Sequence, residues 1–174
     1  MKNVILIITL CMTSFAAAQV SIGGKQSVEG TTTVLDFNTT PTSTNGIILP
    51  AVDNVTNALA STTTNNNGTF LFDKSDKKVK MYEKNSWVAL SDMGYSSKIM
   101  ANTSAESGNG VIIGASSTTA KGVLVLESAN KAMILPKIAN PHTTVKSPYP
   151  GMICYDTVSK SLAVFDGQLW SYWK

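Results

Sequence analysis

From Lys78 to Glu83 the chain reads Lys-Val-Lys-Met-Tyr-Glu, and from Ser161 to Asp166 it reads Ser-Leu-Ala-Val-Phe-Asp. Side chains two residues apart lie on one face of a strand. Val79 with Met81, and Leu162 with Val164, therefore predict strands buried on one side. A short apolar run opened by glycine precedes each: Gly-Thr-Phe-Leu-Phe-Asp at 68–73 and Gly-Met-Ile-Cys-Tyr-Asp at 151–156. Lys-Ser-Asp-Lys and Thr-Val-Ser-Lys supply polar turns between them. Asp166-Gly167-Gln168 signals a two-residue hairpin, and Lys84-Asn85 holds the matching place before Ser86–Leu90. Each block is expected as a three-stranded meander. A meander this small cannot bury both faces alone, so it must pack on a preceding strand, on the other block or on another chain.

The two blocks keep one apolar frame. Phe72, Asp73 and Lys77 match Tyr155, Asp156 and Lys160; Val79, Met81, Tyr82 and Trp87 match Leu162, Val164, Phe165 and Trp170. The charges do not recur, since Lys78, Lys80 and Lys84 become Ser161, Ala163 and Gly167. The charged stretch is thus read as a solvated hairpin rather than a basic binding patch. Further back, Gly46–Pro50 (GIILP) matches Ala132–Pro136 (AMILP), Val20–Gly24 resembles Val111–Ala115, and Val34–Phe37 lines up with Val125–Ser128. The expected fold is all-β: two tandem copies of a strand plus a three-stranded meander. Residues 19–91 form the first copy, 111–174 the second, and the Ser/Gly/Asn-rich stretch 92–110 a linker. Asn54–Ser61 is the one stretch with helical character. Pro50, Pro136, Trp87 and Trp170 recur at fixed places and are expected as structural anchors. Trp173, matched to Leu90, is expected in the apolar core.

Residues 1–18 read as a signal peptide: Lys2, an apolar run from Val4, and an Ala-Ala-Ala cleavage site before Gln19. Lipidation at Cys11 is the alternative, weakened by Leu10 where a small residue is needed. No later apolar run is long enough for a transmembrane helix, and no membrane span is expected. The chain is therefore expected to be exported: extracellular, on the cell surface or periplasmic. The formal charge of +3 falls by one with Lys2, too little to argue for nucleic acid or an anionic membrane. All the basic residues are lysines. Arginine is the usual choice for planar recognition of phosphate, so its absence counts against nucleotide binding. Loss of Cys11 leaves Cys154 alone, which excludes an intrachain disulfide. Cys154 matches Leu71 and is read as a small buried hydrophobe, a reactive or intermolecular thiol being the alternative.

In its order of motifs the chain resembles a module of secreted Bacteroidota proteins and the shaft and tip regions of phage tail-fibre-like proteins. That pattern runs V-G-I-G-T, L-D, K-G-x-L-x-P-R, T-G-x-x-x-Y-D, L-x-x-Y-D-G-x-x-W. It covers nearly the whole chain after residue 18, twice, and Gly151–Trp170 is the nearest match. Ala51 and Lys137 stand where the pattern has arginine, and Gly24 where it has threonine. The resemblance implies β-rich, often trimeric, fibre-like or adhesive surface proteins. It also brings in a modification: Asp156-Thr157-Val158 matches the short pattern at which such bacteria O-glycosylate exported proteins, making Thr157 the acceptor.

The residues themselves offer little chemistry. His142, the single histidine, sits in a proline-punctuated loop, and no G-x-S-x-G elbow accompanies it. No cofactor and no metal is expected, since one histidine and one thiol do not make a zinc site and Asp73/Asp76 fall short of a calcium ligand set. Aromatic stacking on a sugar is the remaining possibility, with Tyr149 and Tyr172 as candidate ligand-binding residues. The expected function is a non-catalytic structural or adhesive surface protein acting as a homo-oligomer, a trimer, or with other surface proteins. The alternative is a carbohydrate- or receptor-binding module; an enzyme dependent on His142 is the third class.

Overall fold

The computed structural model describes residues 19–24, 26–38, 43–59, 66–100, 110–120 and 122–174. The signal peptide and residues 101–109 of the linker lie outside the described residues. Strand accounts for 37% and helix for 5%, so the fold is mostly β.

Two sheets dominate. In the first, β4 (Ala51–Val52), β5 (Phe70–Asp73), β6 (Lys78–Glu83) and β7 (Ser86–Ala89) lie in that order. β4 runs parallel to β5, and β5–β7 form an antiparallel meander. In the second, β11 (Lys137–Ile138), β12 (Met152–Asp156), β13 (Ser161–Phe165) and β14 (Trp170–Trp173) repeat that order and those directions. The registers coincide. Ala51 faces Phe72 as Lys137 faces Tyr155; Phe72 faces Val79 as Tyr155 faces Leu162; Tyr82 faces Trp87 as Phe165 faces Trp170.

Local chemistry explains the shared geometry. Pro50 and Pro136 each offer a carbonyl to the next strand, from Phe72 N and Tyr155 N, both at 2.9 Å. A proline has no N–H to give back, so the parallel ladder ends there. Asp73 Oδ1 accepts from Ser75 N at 2.9 Å and Asp156 Oδ1 from Val158 N at 3.0 Å, closing the same Asx turn. Lys77 and Lys160 take left-handed φ of 61° and 55° in those turns. The second hairpins reach one register by different turns. Lys84 and Asn85 both have positive φ, as a type I′ turn requires, whereas in the second hairpin Gly167 has positive φ and Asp166 Oδ1 accepts from Gln168 N and Leu169 N, each at 2.7 Å.

One core joins the two sheets. Buried Phe72, Val79 and Leu90 of the first cluster with Ile153 and Val164 of the second, flanked by Phe70, Met81 and Leu162. These are matching faces of matching meanders, so each covers the apolar side that the other cannot bury alone. The second sheet's opposite face has its own cluster: Ile138, Met152, Cys154, Ala163 and Phe165, with Val145 and Trp170 against it. The matching face of the first sheet carries Lys80 where the second has Ala163, and Lys80 Nζ is held by Asp73 at 2.7 Å and Asp76 at 2.6 Å.

Smaller sheets connect the halves. β3 (Ile47–Ile48) leaves the first half and pairs antiparallel with β12. β10 (Ala132–Met133) leaves the second half and pairs parallel with β2 (Thr33–Phe37), which also pairs with β1 (Val20–Ile22). β8 (Val111–Ile113) and β9 (Leu124–Leu126) form a parallel pair. The start of the stretch read as a linker is packed. Gly94 is buried beside the Asp166 turn, where a Cβ would meet the Asp166 carbonyl at 2.2 Å; Tyr95 N donates to that carbonyl at 3.0 Å. Ile99 packs on the shared core.

The burial expected of Trp173 and the loop expected around His142 need correction, and the recurring positions can be described in place. Trp173 is 45% exposed rather than in the core, because β14 is an edge strand and the indole reaches sideways to Leu90. Trp87 and Trp170 are half-buried, stacked edgewise on Tyr82 and tilted on Phe165. Pro136 is buried but Pro50 is exposed, so what the two share is the carbonyl, not burial. A 3₁₀ turn does form at Val55–Asn57, but helix α1 (Pro141–Thr144) also forms in the stretch read as a loop, started by Pro141 with Asn140 at φ 48°.

Candidate functional site

Among the described residues, the concavity that contains a sequence-identified residue lies on the seam between the halves. It is a groove of about 430 Å³, lined on one side by Thr44, Asn45, Gly46 and Ile48 and on the other by residues of the second half. Those are Val145, Lys146, Ser147, Tyr149 and Met152. The β3–β12 pairing brings the walls together: Ile48 faces Met152 and Ile47 faces Ile153. Gly46 is required there, because a Cβ would come within 2.8 Å of the Ile153 carbonyl and of Met152 Cε. Tyr149 is half-buried and fixed at its hydroxyl, which accepts from Met100 N at 3.2 Å. Lys146 is the charged residue among the described lining residues. An aromatic ring, hydroxyl and amide groups and one ammonium suit a hydroxylated ligand, neutral or anionic.

Tyr172 is placed elsewhere. It lies on β14 opposite Ala163 and is 39% exposed. Its hydroxyl is 3.0 Å from His142 Nδ1, with the rings in edge-to-face contact at 6.2 Å. Burial raises the Tyr172 phenol above its ordinary value, and the nearby Asp156 charge adds to the rise. His142 therefore has a phenol as its partner at Nδ1. Thr157 is exposed in the turn after β12, next to the buried Asp156.

Asp73, Asp76 and Asp156 are occupied structurally. Burial pushes the Asp73 carboxyl up, but hydrogen bonds from Lys80 and Ser75 outweigh it and hold the group below the ordinary carboxylate value. Burial likewise opposes Asp156, and the Ser159 hydroxyl with the Val158, Asn140 and Ser159 amides outweighs it, so this carboxyl is lowered too. The Asp73/Asp76 pair considered for calcium is bridged by Lys80. Among the described residues no three His, Cys, Asp or Glu side chains gather as metal ligands. Cys154 is fully buried and its thiol is pushed up to about 12, by burial first and the Asp156 charge second.

A second concavity of about 480 Å³ lies between Gln19–Val20 and Ile112–Ser116, where the two Val-x-Ile-Gly segments approach each other. Sequence reading did not find the seam groove. Tyr149 was visible, but its opposite wall comes from residues about a hundred positions earlier. No local signal marks that approach. No protein-family profile, curated protein or solved structure matches the chain.

Proposed function

We propose that the chain is an exported, non-catalytic structural or adhesive surface protein. It is built by duplication of a β module and works as a homo-oligomer, a trimer in the first instance. The observation that supports this is the coincidence of register between β4–β7 and β11–β14, with matching faces sharing one core. A duplicated unit that closes on its twin leaves its sheet edges and its small outer sheets for contacts between chains. Light scattering after size exclusion tests it: a mass of three chains, stable to dilution, is expected, and a monomer at every concentration would overturn it.

The seam groove favours a second reading, a glycan-binding module. Tyr149 and Lys146 would supply the stacking and the polar contact. Glycan binding that is lost in Tyr149→Ala and kept in Tyr172→Ala would support this groove; loss only in Tyr172→Ala would move the site to the His142 surface.

A further inference from the structure

The two sheets differ at one edge. On the second sheet the outer side of β12 is covered twice: β11 pairs with Tyr155 and Asp156, and β3 takes the other half, at Met152 and Ile153. Leu49 N completes that ladder on the Gly151 carbonyl at 3.0 Å. On the first sheet β4 covers Phe72 and Asp73, but among the described residues no strand pairs with the other half of β5 on that side. β4 cannot extend to fill it, because Pro50 has no N–H to offer Phe70. Thr69 O and Gly68 N bond to Tyr82 on the β6 side, so by alternation Phe70 presents its backbone groups outward.

The segment that matches Ile47–Leu49 is Met133–Leu135, and it is not at β5. β10 lies at the end of its sheet, held by β2 through Ala132 N on Thr32 O at 2.7 Å and Ile134 N on Leu35 O at 2.9 Å. Bonds at 132 and 134 leave the backbone groups of Met133 and Leu135 facing away from β2. Those are the positions at which Ile47 and Leu49 pair with the second sheet. Ala132 and Met133 are exposed.

We propose that Met133–Leu135 of one copy pairs antiparallel with the open edge of β5, at Gly68–Phe70, of a second copy. The β3–β12 junction inside the chain is the template: Met133 would face Phe70, Ile134 would face Thr69, and Leu135 N would donate to the Gly68 carbonyl. Among the described residues neither strand gives up an existing bond, so the contact adds a strand to each sheet by edge pairing. Donor and acceptor are different surfaces, so the contact is heterologous and closes into a ring or propagates. The inference rests on the homo-oligomer reading and supplies its interface.

Cysteine pairing between chains tests it. Ile134 and Thr69 would form a non-hydrogen-bonded pair, whose short Cα separation suits a disulfide. A Thr69→Cys chain and an Ile134→Cys chain are mixed under mild oxidation. The buried Cys154 stays out of the exchange. The expected result is a disulfide heterodimer that needs both variants. If instead the double variant closes within one chain, the second copy is overturned as the partner. Oligomers seen by light scattering without this cross-link would overturn the edge pairing and leave the oligomeric reading standing; a monomer would remove both. As a second variant, Met133→Pro deletes an outward N–H that β2 does not use. It should lower the mass to one chain while circular dichroism stays unchanged, and retention of the oligomer would count against the proposal.

Discussion

Trp173 donates its indole N–H to the carbonyl of Leu90 at 2.6 Å, and the two residues, 83 apart, occupy the same position in their respective sheets. The ends of the two meanders are therefore tied directly to each other. Trp173→Phe keeps the ring and removes the donor. A loss of about 0.5–1.5 kcal/mol in urea unfolding is expected. An unchanged midpoint would mean that water replaces the indole at Leu90.

Phe72 is fully buried among residues of both sheets. Phe72→Ala should cost about 3–5 kcal/mol. Because the core is shared, the loss should appear in both halves together. Hydrogen exchange at β6 and β13 would show this as a matched fall in protection; a fall confined to the first sheet would contradict a common core.

Tyr82 is 1% exposed, and among the described residues its hydroxyl is buried without a hydrogen-bond partner. The matching residue is Phe165. Tyr82→Phe removes an unsatisfied group without altering the ring contact with Trp87. Stability should hold or rise by up to about 1 kcal/mol, and a clear drop in thermal midpoint would reveal a partner for that hydroxyl.

Asp73 and Asp156 both have lowered carboxyl pKa values in the folded chain. Their contribution to stability is present above the ordinary carboxylate value of 3.8 and is lost as pH falls through the lowered values. Urea midpoints should decline on acidification through that window. Asp156→Asn should flatten part of the decline, having no proton to gain. A parallel pH dependence in the variant would assign the acid sensitivity elsewhere.

Cys154 should be inert in the folded chain. With its thiol pushed up to about 12 and fully buried, almost no thiolate exists at pH 8. Alkylation by iodoacetamide should follow the unfolding curve in urea, and rapid labelling in buffer alone would show an accessible thiol.

The strands nearest each other in sequence were the most legible. Alternation at Val79/Met81 and Leu162/Val164 marked the buried face, and the turn residues set hairpins whose pairs are only a few positions apart. The parallel pairs were not visible. β4 and β11 are two residues long, too short for a period, and their partners lie across a loop. Trp173 misled because matching it to Leu90 gave its position in the strand but not its neighbours; on an edge strand the indole stays half exposed while its N–H reaches the Leu90 carbonyl.

By itself the amino-acid sequence determined a mostly β chain, the phase of its meander strands and the turns between them. All of these follow from side-chain alternation and from backbone preferences within a few residues. Only the tertiary structure decided what covers each face and each edge. Burial and strand pairing depend on which distant segments arrive: Ile47–Ile48 at Met152–Ile153, Ala132–Met133 at Thr33–Leu35, and matching apolar faces against each other. The seam groove, and the half of β5 that no strand covers among the described residues, are products of those arrivals, so no stretch of sequence announces them.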